Sequence, residues 1–61
     1  MDYSKLIKKI REKMIISQSE LANMLGTSFA SVNRWENGKH EPTIKMKRKI
    51  MYFCKENNIK I

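Results

Sequence analysis

The sequence predicts an all-α fold of four helices, with a fifth only if the last residues add one. Three observations predict it. Apolar residues recur at three- and four-residue spacing through most of the chain. Gly26, Gly38 and Pro42 fall where those periodic segments stop, not inside them. No alternating run flanked by turn residues marks a β-hairpin. At 61 residues the chain is expected to be one domain. A chain of this size buries only about 60% of its unfolded surface, which leaves no room for a deep enclosed cavity.

The first helix is expected over residues 3–14. Tyr3, Leu6, Ile7, Ile10 and Met14 form one stripe, lysines line the outer side, and either Asp2 or Ser4 can cap the start. Ile15-Ile16 then leads into Ser17-Gln18-Ser19-Glu20, a capping box. In that motif the serine hydroxyl takes a backbone N–H three residues on, and the glutamate reaches back. The second helix, about 18–25, runs through Leu21, Ala22 and Leu25 and stops at Gly26, which tolerates the left-handed conformation. Ser28 caps the third helix, about 29–36. Asn37-Gly38 closes it, and both residues suit positive φ. After the loop from Lys39 to Pro42, Thr43 caps the fourth helix, about 44–57. Its stripe is Met46, Ile50, Phe53 and Cys54, with Ile44 and Met51 beside it. Asn57-Asn58 ends that helix. The tail Ile59-Lys60-Ile61 has three possible fates: to fray, to pack back or to extend.

Two short helices joined through a glycine, the second starting three residues later, make a helix-turn-helix. Its geometry assigns roles. The helices cross closely, so the small Ala22 belongs at the crossing, while Leu21, Leu25, Val32 and Trp35 pin the pair to the core. What remains of the third helix points outward: Phe29, Ala30, Asn33 and Arg34, with Ser31 at the margin. Burying Phe29 together with Val32 and Trp35 would leave little outward face, so Phe29 is expected at the surface and Trp35 in the core. A narrow, chemically varied face of this kind suits entry into a DNA groove.

Charge agrees. The chain carries 13 Lys and Arg against 6 Asp and Glu, a net charge of +7. So basic a small chain points to a polyanion, and its distribution is uneven. Residues 17–38 hold Glu20, Glu36 and Arg34, whereas the flanking segments hold the other cations, densest at Lys45, Lys47, Arg48 and Lys49. A near-neutral reading unit with cationic flanks fits base contacts that select sequence and phosphate contacts that supply affinity.

The stretch SQSELANMLGTSFASVNRWENGKHEP resembles the DNA-binding domain of the phage repressor and Cro family, the XRE-type helix-turn-helix. The resembling pattern opens the second helix with Ser-Gln, follows with Leu-Ala, turns on glycine and ends the third helix with Trp-Glu-Asn-Gly. It covers about Lys5 to Pro42. The resemblance implies a sequence-specific double-stranded DNA-binding transcriptional regulator of bacterial or phage type, acting as a repressor, with the third helix in the major groove. It implies base-reading roles for Ser28, Phe29, Ala30, Asn33 and Arg34, and backbone contacts from Gln18, Ser31, Asn37 and Lys39. Arg11 and Glu36 match a structural ion pair between the first helix and the end of the third.

There are two departures. Phe29 stands where several family members carry glutamine, and a phenyl ring cannot make a bidentate adenine contact; it can lie against thymine methyls. The fifth helix used by many members to dimerise is also missing unless residues 57–61 replace it, which leaves a homodimer open. The alternative reading is a helix-turn-helix protein-interaction module, such as an antitoxin, an adaptor or an inhibitor of a nucleic-acid enzyme, with a protein partner. A membrane-surface role is disfavoured, because the apolar stripes are needed for mutual packing.

Other chemistries lack their residues. His40 and Cys54 are distant, and a structural metal needs about four ligands. No nucleophile–base pair, carboxylate dyad or phosphate loop is present, so neither an enzyme nor a cofactor is expected. Cys54 falls on an apolar stripe and reads as a small core residue. A single cysteine, with no signal-peptide pattern and no long apolar run, makes the cytoplasm the expected location.

Overall fold

The computed structural model describes residues 2–60. It contains α1 (Tyr3–Met14), α2 (Gln18–Leu25), α3 (Phe29–Glu36) and α4 (Ile44–Glu56), and no strand among the described residues.

Each helix starts on a short polar side chain that satisfies one orphan backbone N–H. Asp2 accepts from Lys5, Ser17 from Glu20, Ser28 from Ser31 and Thr43 from Met46. The Ser17 box is complete, since the Glu20 carboxylate accepts from the Ser17 N–H at 2.9 Å. Ser4, the other candidate cap for α1, lies inside the helix. Its hydroxyl donates instead to the Glu36 carbonyl at 2.6 Å, tying α1 to the end of α3.

The four helix ends also share one device. A backbone N–H beyond the helix donates to a carbonyl in its last turn: Ile16 to Arg11, Thr27 to Ala22, Lys39 to Arg34 and Ile59 to Cys54. In each case the residue before the donor is left-handed: Ile15 (φ 55), Gly26 (φ 71), Gly38 (φ 71) and Asn58 (φ 55). Asn37, expected to suit positive φ alongside Gly38, instead has φ −84. One left-handed residue is enough to turn the chain, and Asn37 stays close to helical geometry with its side chain on Asn33. Ile15 is the unexpected member. A β-branched residue is poorly suited to this conformation, and this one is 89% exposed.

The core takes Leu6, Ile7 and Ile10 from α1, Leu21, Ala22 and Leu25 from α2, Val32 and Trp35 from α3, and Ile50 and Cys54 from α4. Ala22 is buried in α2, which packs against both α3 and α4; α1 packs on α3. Burial raises the Cys54 thiol above its ordinary pKa, as suits an inert core residue. Met46, Met51 and Phe53 pack at the margin, whereas Ile44, the first residue of α4, stands in solvent. The tail packs back through Ile59, which joins the core; Ile61 lies outside the described residues.

Candidate nucleic-acid interface

The eight residues of α3 divide cleanly by face. Val32, Trp35 and Glu36 are buried, whereas Phe29, Ala30 and Arg34 are exposed. The helix is about 12 Å long at 1.5 Å per residue, comparable to the width of the B-DNA major groove. Phe29 is 53% exposed, so the surface placement expected for it holds, as does core placement for Trp35.

Glu36 is the one charged side chain buried among the described residues. Isolated, it would be strongly penalised, but Arg11 meets it with a two-pronged contact: Nε to Oε2 and Nη2 to Oε1, the latter at 2.9 Å. The expected α1–α3 ion pair is therefore present. Arg11 also donates from Nη1 to the Ile16 carbonyl at 3.3 Å, bracing the turn after α1. The hydrogen bond from Arg11 holds the Glu36 carboxyl below the usual carboxylate range against the opposing effect of burial, and the Gln18 side chain adds a smaller lowering. Arg11 is correspondingly held in its protonated form, chiefly by the same hydrogen bond.

Three amides, on Gln18, Asn33 and Asn37, form a separate chain. Asn33 Nδ2 donates to Gln18 Oε1 at 3.2 Å, and Asn37 Nδ2 donates to Asn33 Oδ1 at 3.1 Å. The Gln18 oxygen therefore faces Asn33. Gln18 thereby meets α3 through Asn33.

Asn33 differs from the expectation of an outward reader. It is half-buried, and both ends of its amide are engaged. It retains one N–H and one lone pair, the pair a bidentate adenine contact uses, on an amide already held by two partners. In the sequence Asn33 and Gln18 are separate candidates, and only their adjacency reveals a joined support. A polar pair fifteen residues apart leaves no signal in the local pattern.

Ser28 and Ser31 share a hydroxyl–hydroxyl contact of 3.0 Å in addition to the cap. Arg34 is exposed and makes no ion pair among the described residues. Glu41, in the loop after α3, is met by Lys47 at 3.4 Å. Lys47 also sits over the Tyr3 ring, 5.2 Å from its centroid, so this member of the basic cluster helps join α4 to α1. Lys39 and Asn37 are exposed just past the end of α3.

A family model described as helix-turn-helix matches residues 7–51, well over half of the chain. No curated protein and no solved structure matches it. The chain belongs to the XRE-type helix-turn-helix family, a family of DNA-binding regulators. No helix of the described residues is long and apolar enough to cross a membrane.

Proposed function

We propose that this helix-turn-helix family member is a sequence-specific regulator of transcription that binds double-stranded DNA and acts by repression in the cytoplasm. Its α3 enters the major groove. The observation that carries this reading is the division of α3: one face is locked into the core through Val32, Trp35 and Glu36, and the other is free at Phe29, Ala30 and Arg34. A rigidly seated helix with an unoccupied face is what reading base edges demands.

Arg34 is the principal polar reader, matched to guanine O6 and N7. Phe29 and Ala30 make apolar contact with base edges, and Ser28 lies at their margin. Gln18, Ser31, Asn37 and Lys39 meet the phosphate backbone, and Asn33 is a further base reader that also holds Gln18. Two copies bind together, with half-sites about one helical turn, or ~34 Å, apart.

The test is selection of bound duplexes from a randomised pool at near-physiological salt, followed by sequencing. The expected product is an inverted repeat with half-sites spaced near one turn. A lone half-site would overturn the dimer. Binding at low salt without sequence enrichment would overturn specific recognition and leave only a generic polycation.

A second reading has one observation in its favour. Met24 is 52% and Tyr52 65% exposed, and together with Leu25, Phe53 and Lys49 they line a groove between the end of α2 and α4. A protein partner seated there would make the chain an interaction module, and such a module would show no sequence enrichment in the same selection.

A further inference from the structure

The opening turn of α3 is chemically unlike the rest of the helix. Its two hydroxyls, on Ser28 and Ser31, are largely occupied by each other at 3.0 Å and by the cap at 3.1 Å. Between them stand Phe29, 53% exposed, and exposed Ala30, neither with a polar atom in its side chain. Arg34, the only cation of α3, lies five residues beyond Phe29, roughly 7.5 Å down the axis and about two base-pair steps away. The helix therefore presents an apolar tip and a cationic rear, addressed to different base pairs.

The major groove offers an apolar tip one distinctive partner, the C5-methyl group of thymine. A phenyl ring carries no donor or acceptor with which to test the rest of the base edge. It cannot distinguish thymine O4 from cytosine N4–H2, nor the adenine opposite from guanine. The feature it reads is the methyl itself, and 5-methylcytosine carries the same group on the same ring carbon.

Resting on the DNA-binding reading above, we propose that the Phe29–Ala30 tip reads a pyrimidine 5-methyl group and not a base identity. At that position thymine and 5-methylcytosine are equivalent. A site holding cytosine there is weak until the cytosine is methylated, and methylation raises its affinity. Burying one methyl group corresponds to about fourfold in affinity per half-site, and about sixteenfold if two half-sites act independently. Arg34 is insensitive to this modification, since guanine O6 and N7 are unchanged.

The experiment is the same duplex selection run with three pools. One is ordinary, one is amplified with 5-methyl-dCTP in place of dCTP, and one with dUTP in place of dTTP. The expected result is a position that demands thymine in the ordinary pool, accepts thymine or 5-methylcytosine equally in the second, and shows no preference in the third. Phe29→Ala should make that position neutral in all three pools and leave the guanine preference intact. Continued demand for thymine against 5-methylcytosine would overturn the proposal, because O4 or the paired adenine would then be the feature read. Enrichment of a site with no methyl-dependent position would also overturn it while leaving sequence-specific binding standing. Absence of any enriched site would overturn both.

Discussion

The two faces of α3 are only a side chain apart, yet they are governed by different physics. The inner face is determined several times over. Val32 and Trp35 are packed, Glu36 is gripped by Arg11, and the Glu36 carbonyl accepts from Ser4. On the outer face, Phe29, Ala30 and Arg34 are exposed, and Arg34 has no ion-pair partner among the described residues. The contrast teaches a separation of duties. Inner residues hold the orientation of the helix, so changing them costs stability and, on the proposed DNA-binding function, weakens every site alike. Changing outer residues costs little stability and, on the same proposal, alters which site is preferred.

The strongest attempt to break this comparison is Trp35→Ala. Truncating a buried tryptophan costs about 3–5 kcal/mol, which approaches the whole stability of a small domain. Thermal melting by circular dichroism should show a folded fraction near zero at 37 °C, with binding to all duplexes lost together. Arg11→Met comes next, at about 3 kcal/mol, because it strands the buried Glu36 carboxylate. Adding Glu36→Leu to Arg11→Met should recover much of that loss in denaturant titration, since the penalty is the stranded charge.

The same pair sets an acid limit. The Glu36 pKa is lowered in the folded state, so its contribution is complete above the ordinary glutamate range near ~4.3 and disappears as pH falls through the lowered value. Stability measured from pH 7 to pH 2 should decline in that window, and the double variant should show a shallower decline.

Outer-face changes are smaller and of a different kind. Arg34→Ala should cost roughly 1–3 kcal/mol on the best duplex and relax preference at one position, with the melting temperature unchanged. Equal weakening on all sequences would reassign Arg34 to a phosphate contact. Ile15→Gly sharpens the comparison from outside α3. It relieves a left-handed β-branched residue that is nearly all exposed, so stability should rise by about 1 kcal/mol with no change in site preference. Lys39→Ala should have the slightest effect, reducing the slope of log affinity against log salt by about 0.9 without altering preference.

Much of this molecule is legible along the chain because its signals are local. A cap is read from one residue and its third neighbour, as with Ser17 and Glu20. A core stripe is read from periodicity, as with Leu6, Ile7 and Ile10. The outward position of Phe29 follows from the space that Val32 and Trp35 must occupy. Arg11 and Glu36 are matched only through the family resemblance, since nothing local pairs residues 25 apart. The Gln18–Asn33 contact carries no sequence signal, since nothing local pairs residues 15 apart.

Ile15 marks the boundary between these two kinds of information. Three of the four left-handed helix ends fall on Gly26, Gly38 and Asn58, residues that adopt that conformation readily, and each is recognisable in the sequence as part of a helix end. At Ile15 the residue type argues against the conformation. There its neighbour makes the choice: Ile16 packs against the core and its carbonyl accepts from Arg11, so the chain must turn one residue earlier. The helices, their caps and the apolar stripes depend on interactions within a turn or two of chain, so they are readable from residue order alone. Contacts between distant parts of the chain set the strained turn at Ile15, the Gln18–Asn33–Asn37 chain of amides, and the lack of an ion-pair partner for Arg34 among the described residues. Each of these depends on the distant group that comes to lie beside it, or on none doing so.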